Sequence, residues 1–202
     1  MKIGILRIGH VDSHILERIQ ENLCTIIPKA SCKLVNDTFA MPDESYDKKR
    51  QQYHSSIILR KIHAFAEKRK ALDRVLGIVD ADIFVPSLNF VFGEAGCPGK
   101  AALISLWRLK PEFYGNAPNS ELFLKRSVKE AVHELGHTLG LEHCPNPFCV
   151  MYFSNSIFET DRKQSLFCNK CYLKAEAIAN QIGKNHEGRF HNRHYTFDAN
   201  PC

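Results

Sequence analysis

The chain carries the stretch HELGHTLGLEH at residues 133–143, and this stretch decides how the polypeptide folds around it. In an α-helix, residues four apart lie about 40° from each other around the axis and one turn apart along it. His133 and His137 therefore project from one face, where two imidazoles can bind one metal ion. An apolar stripe on another face predicts that the helix packs against the core. The stripe consists of Val128, Val132, Leu135 and Leu139.

Gly140 decides where His143 can go. In a continuing helix, His143 would project in another direction from the first two histidines. A glycine can adopt the left-handed conformation that ends a helix and turns the chain back, which would bring a third imidazole to the ion. Three imidazoles leave one position open for water, so the pattern predicts a catalytic zinc site with Glu134 placed to take a proton. Chance placement of core or surface histidines is the alternative, and the full spacing disfavours it.

Four of the eight cysteines lie close together, in the pattern C-x₄-C followed by C-N-K-C. Two such pairs are typical of a tetrahedral zinc site in which every ligand is a thiolate, so no position remains for water. Two disulfides, or thiols that simply pack in a core, are the alternatives. These candidate ligands of a structural zinc ion are Cys144, Cys149, Cys168 and Cys171.

Composition indicates one globular unit: the chain has 202 residues, of which 44% are hydrophobic and 24% are charged. It lacks an apolar run of about 18 residues and a secretory leader, so we expect a cytoplasmic protein with no membrane partner. The net charge of +5 is concentrated around residues 48–70. A solvated helix face explains this charge better than a nucleic-acid site. We favour a monomer.

Strands and helices alternate along the chain, which predicts an α/β fold. The predicted strands cover residues 2–8, 31–39, 74–79, 89–92 and 101–106, and the predicted helices cover 11–27, about 51–68, a segment from near 120, and 172–182. This order is typical of a twisted mixed sheet that is mostly parallel. The short link between the last two strands leaves room for one antiparallel edge strand.

The composition of the sequence changes after the helix that carries His133 and His137, and we expect the chain to consist of three parts. Residues 1–140 form an N-terminal α/β subdomain that includes this helix. Residues 141–183 form a small C-terminal subdomain that depends on its four-cysteine zinc site. Residues 184–202 lack apolar periodicity and are predicted to be a mobile tail.

The segment from His133 to Cys171 resembles the signature of the archaemetzincins, a family of metzincin-like zinc metallopeptidases. The residues that carry the resemblance are His133, Glu134, His137, Gly140, His143, Cys144, Cys149, Met151, Cys168 and Cys171. The resemblance implies a metzincin-like sheet and two zinc ions per chain. It also implies that Glu134 is the general base and acid and that Met151 forms the Met-turn beneath the catalytic zinc. Some other metzincins place a tyrosine ligand two residues after this methionine; Phe153 stands here, so that role is not carried over.

The leading hypothesis is therefore a zinc metallopeptidase in which a zinc-bound water, activated by Glu134, hydrolyses peptide bonds. The resemblance suggests aminopeptidase activity as one form of this reaction. We expect a peptide or protein substrate to lie extended beside the edge strand predicted at residues 89–92. The alternative is a zinc-stabilised binding or adaptor protein whose histidine site is not catalytic.

Overall fold

The computed structural model describes residues 1–187 of the chain. Its strands are β1 (Lys2–Ile8), β2 (Ser31–Phe39), β3 (Tyr46–Asp47), β4 (Gln52–His54), β5 (Arg74–Val79), β6 (Ile83–Phe84), β7 (Gly93–Ala95) and β8 (Ala101–Ser105). Its helices are α1 (Ser13–Ile26), α2 (Ser55–Lys68), α3 (Ser120–Thr138), α4 (Ile157–Arg162) and α5 (Asn169–Glu187). Within this part of the chain, none of the helices combines the length and the apolar character needed to cross a membrane.

Five strands form the main sheet, in the order β2-β1-β5-β8-β7. The pairs among β2, β1, β5 and β8 are parallel, and β7 pairs with β8 in the antiparallel sense. The predicted fold, a mostly parallel sheet with one antiparallel edge strand, is confirmed. The central strands are apolar on both faces because helices cover both sides of the sheet.

Side chains that alternate along each strand build one core on each side of the sheet. Ile3 and Ile5 of β1 pack toward α1 and α3, in a cluster that also holds Leu16, Val132 and Leu135. Leu6 and Ile8 pack toward α2, in a second cluster with Ile58 and Ile62. Helix α3 thus lies on the sheet through its apolar stripe and keeps its histidine face free of the core.

The edge strand is not where the sequence places it. Residues 89–92 do not form a strand, and the strand next to β8 is Gly93–Ala95. The prediction followed the apolar run that ends at Phe92, but these residues lie in a loop that lines the cavity beside the histidines of α3. A three-residue strand is defined by its pairing partner, and its own sequence carries no alternating pattern.

Three further predicted elements differ from the observed ones. Helix α2 begins at Ser55 because Gln52–His54 belongs to a second, three-stranded sheet of order β3-β4-β6 that the sequence did not indicate. The cysteine-rich segment contains the short helix α4. Helix α5 covers Asn169–Glu187, so it begins before Cys171 and continues past Gly183, where its end was predicted. The rest of the predicted tail lies outside the described residues.

Candidate metal centres

Helix α3 presents His133 and His137 beside each other, and the chain then turns back as the sequence predicts. The Asn119 side chain caps the start of the helix by accepting the Leu122 N–H. At its end, Gly140 adopts a left-handed φ of 76°. The Gly140 N–H donates to the His137 carbonyl over 2.8 Å. This turn brings the ring of His143 to 4.9 Å from that of His137, measured between centroids.

Hydrogen bonds set the tautomers of the two helical histidines. His133 Nδ1 lies 2.8 Å from the Val150 carbonyl oxygen, and His137 Nδ1 lies 2.7 Å from that of Leu141. A carbonyl can only accept, so each Nδ1 carries the proton and each Nε2 keeps its lone pair. The two Nε2 atoms are 3.1 Å apart, with no proton left to bond them to each other.

Zinc fits this triad. One ring nitrogen from each of His133, His137 and His143 lies within 4.8 Å of the others. Burial lowers the pKa of His133 well below its usual value and lowers that of His137 to about 4. Burial, followed by the Lys163 charge, also lowers the pKa of His143. Zinc binds neutral imidazole, so these shifts favour the form that can act as a ligand.

Glu134 lies beside the triad at the wall of a cavity of about 130 Å³. Burial, followed by the neighbouring Glu130 charge, raises the pKa of Glu134 well above that of a free carboxylic acid. Its side chain packs closely on Gly93 of β7: a Cβ atom added to Gly93 would stand 2.6 Å from Glu134 Oε1. The edge strand thus fixes where this carboxylate can lie.

Met151 is buried and lies against α3. Its Sδ atom packs on Gly136, which stands between them in the sequence, and an added Cβ there would meet Met151 Cε at 3.1 Å. This contact explains the glycine inside the histidine motif. Phe153 packs its ring 4.8 Å from that of His143 and offers no ligand atom.

The four clustered cysteines also converge. Their Sγ atoms lie within 4.8 Å of one another, and those of Cys144 and Cys168 are 3.9 Å apart. The described cysteines are all free thiols, so the alternative of two disulfides is not supported. Burial raises the pKa of the Cys168 thiol, but hydrogen bonds led by the Cys171 backbone N–H outweigh burial and lower the pKa to about 7. Four thiolates make a closed tetrahedral site that suits zinc.

One loop joins the two clusters. The Cys144 N–H donates to the Met151 carbonyl over 2.9 Å and closes the loop on itself. The same loop supplies Cys149 to one cluster and the Val150 carbonyl, which orients His133, to the other. The loop that carries Cys149 therefore also carries the hydrogen-bond partner of His133.

Sequence reasoning missed two charged residues next to the histidine site. Glu130 is buried on α3, one turn before Glu134, and its side chain lines the same cavity. Lys163 follows α4 and is buried as well. The position of Glu130 at four residues before Glu134 was a signal that could have been used. Nothing in the sequence distinguishes Lys163 from the exposed lysines.

The comparisons with known proteins agree with this geometry. Residues 11–177 match Peptidase family M54. The chain is 42% identical over 182 residues to the archaemetzincin of Methanocaldococcus jannaschii, which spans 87% of this chain and 93% of that protein. The archaemetzincin of Pyrococcus abyssi is 42% identical over 177 residues, which is 86% of this chain and 94% of the relative.

Solved structures are similar over nearly the same length. The crystal structure of archaemetzincin from Methanopyrus kandleri superposes with a TM-score of 0.78 at 37% identity, covering 89% of this chain and 96% of that one. That from Archaeoglobus fulgidus, in complex with malonate, gives 0.73 at 39% identity, with 86% and 99% covered. The chain therefore belongs to the archaemetzincins, the zinc metallopeptidases of Peptidase family M54.

Proposed function

We propose that His133, His137 and His143 bind the catalytic zinc ion and that Glu134 is the general base and acid of peptide hydrolysis. One observation carries this assignment: three ligand nitrogens converge within 4.8 Å, with a buried carboxylate beside them on one cavity. Zinc bound there supplies a Lewis acid that polarises a carbonyl oxygen and makes water more acidic.

Glu134 performs the proton transfers. Its carboxylate takes a proton from the attacking water and later gives it to the amine that leaves. Burial raises the pKa of this carboxyl, which favours its holding the proton between the two steps. Because Gly93 has no side chain, the carboxylate has room to lie against this part of the cavity wall.

Strand β7 offers the substrate a row of backbone groups. The Phe92 carbonyl accepts the Ser105 N–H, and the Gly96 N–H donates to the Ala101 carbonyl, so both groups face β8. Because backbone groups alternate along a strand, those of Gly93 and Ala95 face the open edge. We propose that an extended peptide pairs with these two residues, which replaces the segment 89–92 of the sequence prediction.

The four-cysteine site holds a second, structural zinc ion in this proposal. All four ligands are thiols, so the ion keeps no position for water or substrate. Its function is to tie the loop that carries Met151 and the Val150 carbonyl to helix α5. The expected zinc content is two ions per chain.

Glu134→Gln tests the proposed function. The zinc-loaded variant and the wild type are incubated with a mixture of peptides, and cleavage is followed by mass spectrometry beside metal analysis. We expect both proteins to hold two zinc ions and the variant to cleave about 10²–10⁴-fold more slowly. Glu121→Gln is the matched control, because Glu121 lies on the same helix with a side chain that is 77% exposed. Equal rates for Glu134→Gln and the wild type would overturn the assignment of the base.

The same peptide mixture distinguishes the finer alternatives. Cleavage confined to the first peptide bond identifies an aminopeptidase, and cleavage at internal bonds identifies an endopeptidase. A wild type that holds its metal and cleaves no peptide in the mixture would instead favour the adaptor hypothesis.

A further inference from the structure

Lys163 is the most deeply buried charged group of the described residues. Its side chain is 0% exposed, and its Nζ atom lies 3.1 Å from Oε1 of Glu130, which is 4% exposed. A charge in such surroundings needs a partner, and removing one member of a buried pair leaves the other uncompensated. The mechanism derived above does not use either residue.

Side chains of helix α3 bind α4, the short helix that precedes Lys163. Arg126 forms a two-pronged ion pair with Asp161 of α4, with both N–O distances at 2.7 Å. Lys129 Nζ donates to the carbonyls of Thr160 and Asp161, each over 2.9 Å. The Thr160 hydroxyl donates to Glu130 Oε1 over 3.1 Å. These contacts fix the position of α4 along α3. They therefore also fix the position of Lys163, which follows α4, relative to Glu130.

The pair lies beside the zinc site. Glu130 precedes Glu134 by one helical turn and lines the same cavity as His133. Lys163 Nζ stands 3.5 Å from the carbonyl oxygen of Tyr152, the residue after Met151. After burial, the Lys163 charge is the next largest influence that lowers the pKa of His133.

Three carboxylates, those of Glu94, Glu130 and Glu134, line this cavity. The Glu94 carboxylate accepts hydrogen bonds from the hydroxyls of Ser55 and Ser56, and the Lys163 ammonium group pairs with Glu130. Among these three carboxylates, Glu130 is the one that forms an ion pair within the described residues. Without the ammonium group, the like charges of Glu130 and Glu134 would stand one turn apart, and both would be available to a metal ion and to a proton. With it, the ion pair offsets part of the negative charge of Glu130.

We propose that Lys163 is a positioning residue of the catalytic site: it pairs with Glu130 and holds it. Because two serine hydroxyls hold Glu94 as well, Glu134 is left as the carboxylate that the cavity offers to the zinc ion and the substrate. The inference rests on the proposed binding of zinc by the histidine triad. It predicts that each member of the pair affects zinc binding through its charge, with opposite signs.

The test uses Lys163→Met, Glu130→Gln and the double variant, which are close to the natural side chains in size. The dissociation constant of the histidine-site zinc is measured by competition with a chelator, without substrate. Lys163→Met leaves a negative charge and is expected to tighten zinc binding about tenfold, whereas Glu130→Gln leaves a positive charge and is expected to weaken it about tenfold. The double variant restores the wild-type constant to within about threefold.

A purely structural role gives a different pattern, because both single variants would then weaken zinc binding, and that result overturns the proposal. If Lys163→Met does not fold, Glu130→Gln is compared with the double variant, and a double variant that binds zinc no better than Glu130→Gln also overturns it. Lys125→Met, at an exposed position of α3, is the matched control and is expected to leave the constant unchanged.

Activity supplies a second measurement. Lys163→Met is expected to lower kcat at least tenfold with KM within twofold, and the double variant is expected to recover most of kcat. A kcat unchanged in folded, zinc-loaded Lys163→Met would overturn the positioning role. Failure of the wild type to cleave peptides would instead reject the proposed function, and the zinc constants would still test the charge pair.

Discussion

At the scale of single residues, Gly93 is the position where one added methyl group reports on catalysis. A Cβ atom on Gly93 would stand 2.6 Å from Glu134 Oε1, closer than non-bonded atoms can approach, so the carboxylate must move. We expect Gly93→Ala to retain its zinc and to lose about 10²-fold in kcat, because a displacement of about 1 Å has that effect on a reacting group. Steady-state kinetics beside metal analysis measures this.

Gly183→Ala is the matched control for Gly93→Ala. A Cβ atom there meets nothing within 4 Å, and the residue lies in the helix α5. Because alanine favours helix over glycine by about 1 kcal/mol, we expect a small gain in stability and an unchanged kcat. Wild-type kcat in Gly93→Ala would show that Glu134 tolerates another position.

Residues differ in how much of their role the sequence reveals. The convergence of His133, His137 and the four clustered cysteines was predictable because a metal site needs particular ligand types at particular spacings, and these spacings are present in the sequence. Glu130 and Lys163 were not predictable, because a charged residue is normally exposed and its burial depends on a partner 33 positions away. The contact of Gly93 with Glu134 could not be predicted either, because Glu134 belongs to another element, helix α3.

At the scale of elements, the end of helix α3 is the decisive feature. Gly140 has φ of 76°, and a Cβ atom there would lie in ordinary contact, 3.7 Å from Pro98 Cβ, so conformation and not space excludes other residues. We expect Gly140→Ala to lower the free energy of unfolding by about 1–2 kcal/mol, because a left-handed conformation costs that much with a side chain. Part of this strain is expected to move His143 and to weaken zinc binding.

Gly140→Asn provides the comparison for Gly140→Ala, since asparagine tolerates the left-handed conformation better than alanine does. Chemical denaturation and chelator competition are measured for both variants. We expect asparagine to be the milder change in both measurements. Equal losses for the two residues would show that something other than the backbone conformation is responsible.

Elements were predictable where their own side chains decide them. Strands β1, β2 and β5 lie at the predicted bounds, because β1 and β5 are buried apolar runs and β2 largely alternates half-buried with exposed residues. The short strand β7 and the three-stranded sheet have no such pattern and exist because a neighbouring strand pairs with them. Helix α4 was missed because six residues held by Arg126 and Lys129 need little helical preference of their own.

At the scale of the whole molecule, the histidine cluster and the cysteine cluster share one loop. The sheet and α3 carry His133 and His137, but the loop bound to the cysteines supplies the Val150 carbonyl that orients His133 and the side chain of Met151. The division into residues 1–140 and 141–183 stays a prediction, and this shared loop is the place to test it. A change in the cysteine site should reach the histidine site through Val150.

Cys171→Ser is the variant that tests this coupling. Loss of one thiolate is expected to release the structural zinc, so that backbone amides of residues 144–171 exchange with deuterium faster while those of β1, β5 and β8 stay protected. The affinity of the histidine site for zinc is expected to fall about 10–100-fold, the usual effect of losing a group that orients a ligand. Cys24→Ser changes a thiol outside both clusters and should leave both measurements unchanged. Uniform loss of protection throughout the sheet would contradict the division, because it would mean that the cysteine site holds the whole core together.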